Sequence, residues 1–258
     1  MCVRMSPQLL KSVRRADRIV ERLVEMEAAS VSELAEEFEI PLSTMYEYVN
    51  TLESINYITK RSDGRYRVSS SFLEVGNRVL RNHDVYAVAE PEIRRLAEET
   101  GEFAGLMIEE DRVGVLASMK KGEKVKRLQV NRTYPGVRSR LNTTAYGKAI
   151  LAQLPDEEIR EVTDRYGLHP RTESTITDTD ELLAEVESIR ERGYALDDEE
   201  CFDGMRGVGV AVTSHGDDPL AGIALYGPPN RLDDEAFFEE YPPVVQEYAD
   251  VIQGNLEY

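Results

Sequence analysis

The chain reads as an α+β protein in two parts: a small helix-turn-helix module with a two-stranded wing, then a larger domain whose antiparallel sheet is flanked by helices. Three observations predict this. Between Ser30 and Val68, two short amphipathic stretches are divided by a proline and followed by a hairpin signal. Beyond Glu102, strand-like runs come in adjacent pairs, which argues for hairpins rather than a parallel sheet. The charge is also unevenly divided. Residues 1–80 hold 11 basic and 12 acidic groups, while residues 81–258 hold 20 and 37, net −17 out of −18.

The elements follow in order. Lys11 to Met26 is amphipathic, with Val13, Ala16, Val20, Leu23 and Val24 on one face. Ser30 and Glu33 have capping-box spacing, and Val31, Leu34, Ala35 and Phe38 form the apolar stripe of a second helix. Ile40-Pro41 ends it, because a residue before proline is pushed out of the α region. A third helix starts near Ser43 and turns Met45, Val49 and Leu52 inward. Asp63-Gly64 favours a tight turn between Tyr57–Arg61 and Arg65–Val68. This is the plan of a winged helix-turn-helix.

The outward face of the third helix then carries Ser43, Thr44, Tyr46, Glu47, Asn50 and Thr51, which can hydrogen-bond base edges in a major groove of double-stranded DNA. None is cationic, so attraction to phosphate falls to Lys60, Arg61, Arg65 and Arg67 of the wing and to Arg14, Arg15 and Arg18. A helical pair on the surface of an unrelated protein satisfies the same periodicity.

Ser69–Ser71 caps a helix from Phe72 towards Val88 with Phe72, Val75, Val79 and Leu80 on one side. Such a stripe either pairs with a second copy or packs on its own domain. Pro91 to Gly101 is a further helix closed by glycine. Strands are expected over Glu102–Ile108, Arg112–Lys120 and Val125–Asn131. A helix with hydroxyls at its mouth begins at Thr143–Thr144, a place suited to a carboxylate ligand. Helices over Asp156–Tyr166 and Asp180–Arg192 come next, then a hairpin of Met205–Thr213 and Leu220–Tyr226 across His215–Pro219.

With 258 residues the chain can bury one large core or two modest ones. No apolar run approaches the ~20 residues of a membrane span. The first residues lack a signal-peptide core, and Cys2 and Cys201 form no disulfide framework, so the expected compartment is the cytoplasm. Arginine outnumbers lysine 24 to 7 and the pI is near 4.7, a composition similar to proteins of salt-accumulating halophiles. At 1 M salt the Debye length is ~3 Å, so this acidity does not keep DNA away.

Thr144-Ala145-Tyr-Gly147-Lys148-Ala149, Gly193-Tyr194-Ala195, Asp197–Glu200, Gly204, Val208–Val212 and Ala224-Leu-Tyr-Gly227-Pro228 stand in an order and spacing that resembles the isocitrate-lyase-regulator (IclR) family of transcription factors. With the helix-turn-helix and connector, the resemblance covers nearly the whole chain. It implies a DNA-binding domain over 1–70, a helical linker over 71–90, and a GAF/PAS-like effector domain over 91–258. It also implies a homodimer or tetramer, a small-molecule effector such as an organic or aromatic acid, no cofactor and no membrane partner. Carried across by position, the effector site comprises Leu128, Asn131, Ser139, Ala145, Tyr146, Asp197, Gly207, Ala224 and Tyr226. Two departures bear on the ligand: Ala224 and Tyr226 stand where keto-acid binders of the family carry hydroxyl residues, and Tyr146 is bulky where many members are small. Glu47 replaces the arginine usual on the recognition helix.

The competing chemistry is a metal-dependent hydrolase built on the carboxylates Asp197–Glu200. Against it, His83, His169 and His215 are scattered away from ligand spacing. There is no Gly-x-Ser-x-Gly, and Gly204–Gly209 is not followed by a helix, so it fails as a dinucleotide loop. A solvated acidic loop with one inward Asp is the simpler reading.

Overall fold

The computed structural model describes residues 9–128, 133–213 and 221–257. The chain divides into two compact units between Val79 and Leu80. In the first, α1 (Lys11–Glu25), α2 (Val31–Glu37) and α3 (Leu42–Ser54) enclose Ile19, Leu23, Leu34, Met45 and Val49. The hairpin β1 (Ile58–Lys60) and β2 (Tyr66–Val68) adds Ile58 and Tyr66 to that core. Ser30 closes α2 as the spacing predicts: its hydroxyl accepts from the Glu33 N–H at 3.2 Å and Glu33 accepts from the Ser30 N–H at 2.7 Å. The inward face of α1 differs from the expected one. It is centred on Ile19 and Leu23, while Val13 and Val24 are more than half exposed. Those two valines lie roughly 110° around the helix from the Ile19–Leu23 line, since successive residues turn by about 100°.

The connector region also departs from expectation. Rather than one helix to Val88 and another from Pro91, α4 (Ser71–Arg81) stops at an extended His83 and α5 (Asp84–Thr100) runs through Pro91. An interior proline costs about 3 kcal/mol. Burial of Val85, Ile93 and Leu96 along one face of α5, each about 1.5–3 kcal/mol, outweighs it. No residue of α4 is buried.

The second unit is built on a six-stranded antiparallel sheet comprising β3 (Phe103–Glu110), β4 (Val113–Lys121), β5 (Arg138–Ser139), β6 (Ala195–Asp198), β7 (Arg206–Val212) and β8 (Ala221–Gly227), in the order β5-β4-β3-β8-β7-β6. The strand expected over Val125–Asn131 is not the next partner of β4. Glu123–Val125 is a 3-10 turn, drawn inward by buried Val125, and the Gly122 N–H donates to the Glu102 carbonyl. Residues 129–132 lie outside the described residues, as does the turn of the last hairpin, including His215.

Alternation along β3 and β8 separates the two faces. Ala104, Leu106, Ile108, Ile223 and Leu225 point to α5 and to α9 (Tyr241–Leu256). Met107 and Ala224 point to the other layer, formed by α6 (Ala145–Leu151), α7 (Asp156–Tyr166) and α8 (Thr179–Arg192). A sheet covered on both faces explains why β3 is apolar from Phe103 to Ile108 rather than at every second residue.

Candidate effector chamber and nucleic-acid surface

On α3, Ser43, Tyr46, Glu47, Asn50 and Thr51 are exposed and Thr44 is half-buried. They do not form one uniform face. Thr44, Glu47 and Thr51 line a hollow of about 670 Å³ shared with Val13 and Asp17 of α1, and the Thr51 hydroxyl donates to the Glu47 carbonyl at 2.7 Å. Ser43, Tyr46 and Asn50 lie on the flank away from that hollow, so the polar surface open to a groove is narrower than the periodicity implies.

The cations also divide. The Arg15 guanidinium lies 5.9 Å from the Tyr48 ring and Lys60 5.5 Å from the Tyr66 ring. Arg14 and Arg67 are exposed, and among the described residues neither has an ion pair. Arg61 lies 3.5 Å from Asp63. Arg65 donates to the Ala28 carbonyl at 2.5 Å and lies 3.6 Å from Glu33, so it also ties the wing to the start of α2.

In the second unit, Thr144 caps α6 by accepting from the Gly147 N–H at 3.0 Å. The mouth of this helix is not open to a ligand as expected. The Tyr226 hydroxyl accepts from the Ala145 N–H at 2.8 Å and donates to Asp197 Oδ2 at 2.8 Å. Asp197 Oδ1 in turn accepts from the backbone N–H groups of Glu200 and Cys201 at 2.8 and 3.2 Å. Burial pushes the Asp197 carboxyl up to about 6, against the pull of the Tyr226 hydrogen bond and the Lys148 charge.

Two carboxylates of the acidic run are inward, not one. Glu200 pairs with the fully buried Lys148, and burial pushes its carboxyl up to about 7 despite that partner. Lys148 also lies 3.6 Å from Glu185, which receives Arg192 at 2.7 Å. Burial raises the Cys201 thiol to about 12, so it is an inert packed group. The carboxylates of the hydrolase reading are thus committed: Asp197 to Tyr226 and backbone, Asp198 to Arg206, Glu199 to the Gly204 N–H and Glu200 to Lys148. Among the described residues, no group of three or more His, Cys, Asp or Glu is arranged to hold a metal ion.

Above Tyr226 lies a chamber of about 510 Å³, within the range of small-molecule pockets. Phe103, Met107, Leu116 and Met119 of β3 and β4 form one wall, and Phe202 and Met205 form another. The rings of Tyr146 and Tyr226 stack with centroids 5.4 Å apart to make the floor. Glycines admit these rings: a Cβ on Gly105 would stand 2.4 Å from the Tyr146 hydroxyl, and one on Gly207 2.4 Å from the Tyr226 ring. Ser139 also lines the chamber, and its Oγ is buried without a hydrogen-bond partner among the described residues.

Of the expected effector residues, Leu128, Ser139, Tyr146 and Tyr226 line the chamber. Ala145, Asp197, Gly207 and Ala224 do not; they are sealed off by the Tyr226 ring and hydroxyl or packed beneath it. Asn131 lies outside the described residues. Sequence reasoning missed Phe103, Met107, Phe202, Met205 and Arg171. The inner-face alternation of β3 would have found the first two, whereas Arg171 sits in a polar segment with no pattern to mark it.

Two family models match the chain: "Bacterial transcriptional regulator IclR C-terminal" over residues 77–253 and "IclR helix-turn-helix domain" over residues 12–62. The chain is 27% identical over 251 residues to "Probable HTH-type transcriptional regulator ArcR" of Halobacterium salinarum, covering 97% of this chain and 95% of that one. It is also 27% identical to the transcriptional regulator KdgR of Escherichia coli over 256 residues, 98% of this chain and 95% of that one. The crystal structure of the Thermotoga maritima IclR superposes with a TM-score of 0.82 at 32% identity, covering 96% of this chain and 99% of that one.

Proposed function

The chain belongs to the IclR family of DNA-binding transcriptional regulators, and on that premise we propose that it is a cytoplasmic operator-binding protein whose affinity for DNA is set by a small molecule in the chamber above Tyr146 and Tyr226. The observation that carries the reading is that half-open chamber, floored by the stacked rings of Tyr146 and Tyr226. On DNA, Ser43, Tyr46 and Asn50 read bases, while Arg14, Arg67, Lys60 and Arg61 meet phosphate. Glu47, at the edge of the α1 hollow, accepts from a cytosine amino group.

A winged module reads one half-site, so a regulator of this kind needs two. The exposed apolar residues Leu73, Val75 and Val79 of α4 support a homodimer, for which an inverted-repeat operator is expected. Its acidic, arginine-rich composition supports work in concentrated salt.

The test is footprinting on DNA upstream of its own and neighbouring genes at high salt, with and without pooled cell metabolites. Protected half-sites that weaken or strengthen with metabolites support the reading. Binding to no such DNA, or binding indifferent to every extract, overturns it.

A further inference from the structure

Resting on that effector reading, we propose that Tyr226 sets the class of effector: its phenol occupies the polar end of the site in place of a ligand, and the chamber left above it takes a bulky aromatic carboxylate held at the mouth by Arg171.

The argument begins with what Tyr226 already satisfies. Its hydroxyl uses the Ala145 N–H and the Asp197 carboxylate, both within hydrogen-bond distance at 2.8 Å. A small hydroxy or keto acid entering the chamber therefore finds the Ala145 N–H and the Asp197 carboxylate already taken, with the Thr144 hydroxyl beside them. Gly207, directly opposite Tyr226 in the β7–β8 register, makes this arrangement possible, because any side chain there would collide with the ring. The substitution of a tyrosine for a ligand's polar head thus depends on a cross-strand pair, not on one residue.

What remains accessible is mostly apolar. Phe103, Met107, Leu116, Met119 and Phe202 and the two stacked tyrosines offer flat and flexible contacts suited to fused or extended aromatic rings. The polar groups are few and placed apart. Ser139 also lines the chamber, but its Oγ is buried and out of contact with the open space. Two arginines line the chamber. Arg138 is engaged by Glu110 at 2.7 Å, whereas Arg171 has no ion pair among the described residues and lies 5.0 Å from the Phe202 ring. Stacking on that ring fixes the guanidinium over the mouth, where its planar fork matches a carboxylate. Asp203, the acidic group of the same rim, is exposed to solvent. A bulky apolar body ending in a carboxylate uses all of these features.

The probes are 2-naphthoate, 2-naphthamide, pyruvate, p-cresol and toluene, titrated calorimetrically into the full-length protein at high salt. The parent protein should bind 2-naphthoate at least about 10-fold more tightly than pyruvate, by its larger apolar contact, and about 3-fold more tightly than 2-naphthamide, by Arg171. Arg171→Gln, an exposed change, should erase the preference for the acid over the amide. Tyr226→Ala frees the Ala145 N–H and Asp197, so the ratio of p-cresol to toluene affinity should rise at least about 10-fold over the parent. Pyruvate binding as tightly as 2-naphthoate, an acid-to-amide preference unchanged in Arg171→Gln, or an unchanged cresol-to-toluene ratio in a folded Tyr226→Ala would overturn the proposal. Should Tyr226→Ala not fold, the pyruvate and Arg171→Gln arms still decide it. The effector reading fails separately: 2-naphthoate that binds without changing operator affinity refutes that reading and leaves the chamber assignment standing. Operator binding that answers to metabolites, without any binding of 2-naphthoate, does the reverse.

Discussion

Replacing Tyr226 by phenylalanine removes one oxygen from the floor of the chamber and keeps the ring that fills it. Two buried groups then lose a partner, the Ala145 N–H and Asp197 Oδ2. A buried polar group left unsatisfied costs about 1–3 kcal/mol, and more when charged, so the variant should lose about 2–5 kcal/mol. The loss should also depend on pH. The Tyr226 hydrogen bond pulls the Asp197 carboxyl down towards its value of about 6, so without it the group titrates higher. At pH 8 the parent holds a hydrogen-bonded carboxylate while the variant must keep an under-solvated one, whereas near pH 5 both hold the neutral acid. Urea unfolding followed by circular dichroism at fixed salt measures this directly, with the difference from the parent larger at pH 8 than at pH 5. A loss below about 0.5 kcal/mol at pH 8, where surface substitutions fall, would refute the reasoning and mean that water reaches Asp197.

Three further outcomes follow from single features. Asp197 and Glu200 both titrate above their ordinary range, at about 6 and about 7, so their protonated forms favour the folded state. Their contribution is full below about pH 4 and is lost as pH rises through those values, and Asp197→Asn should flatten the fall in the urea midpoint between pH 5 and 8. Arg65→Ala should cost the first unit about 1–3 kcal/mol in thermal or urea unfolding through the lost bond to Ala28, while Arg67→Ala should leave stability unchanged and reduce the salt slope of operator binding by about 1. Ser30→Ala removes the reciprocal cap of α2 and should cost about 0.5–2 kcal/mol by urea unfolding.

The parts of this fold that were legible in the sequence are those fixed by local chemistry. The capping box at Ser30, the proline stop before α3, the hairpin turn at Gly64 and the glycine ending α5 each depend on residues within one or two turns of one another. What was misread depends on distant packing. Proline at 91 signals a helix start from its neighbours alone, but burial of Val85 and Ile93 against the sheet carries α5 through it. Periodicity placed Val13 and Val24 of α1 in the core because it ranks faces by apolarity and cannot see which face the other helices cover. In the site, the positions carried over from the family resemblance include four that line one chamber, Leu128, Ser139, Tyr146 and Tyr226. Nothing local marks Ala145, Asp197 and Gly207 as closed off, because residues 145, 197, 207 and 226 meet only through the sheet register and the packing of α6.

The acidity of the second unit bears on what such a chamber can hold. Residues 81–258 carry net −17, a field that opposes any anion entering at ordinary salt. One exposed arginine at the mouth offsets little of this, since a surface ion pair contributes about 0–1 kcal/mol. Affinity for a carboxylate must then come mainly from apolar contact inside the chamber, with Arg171 setting selectivity more than strength. Raising potassium chloride from about 0.1 to 1 M shortens the Debye length from ~10 to ~3 Å and removes most of the repulsion while leaving the apolar contacts in place. Binding of 2-naphthoate should accordingly strengthen with salt, whereas operator binding, which releases counterions from DNA, should weaken. Calorimetry for the acid and footprinting for the operator over the same salt series compare the two directly. If 2-naphthoate binding weakens in parallel with DNA binding, Arg171 rather than the apolar wall supplies the affinity, and the account of the chamber given by its lining is wrong.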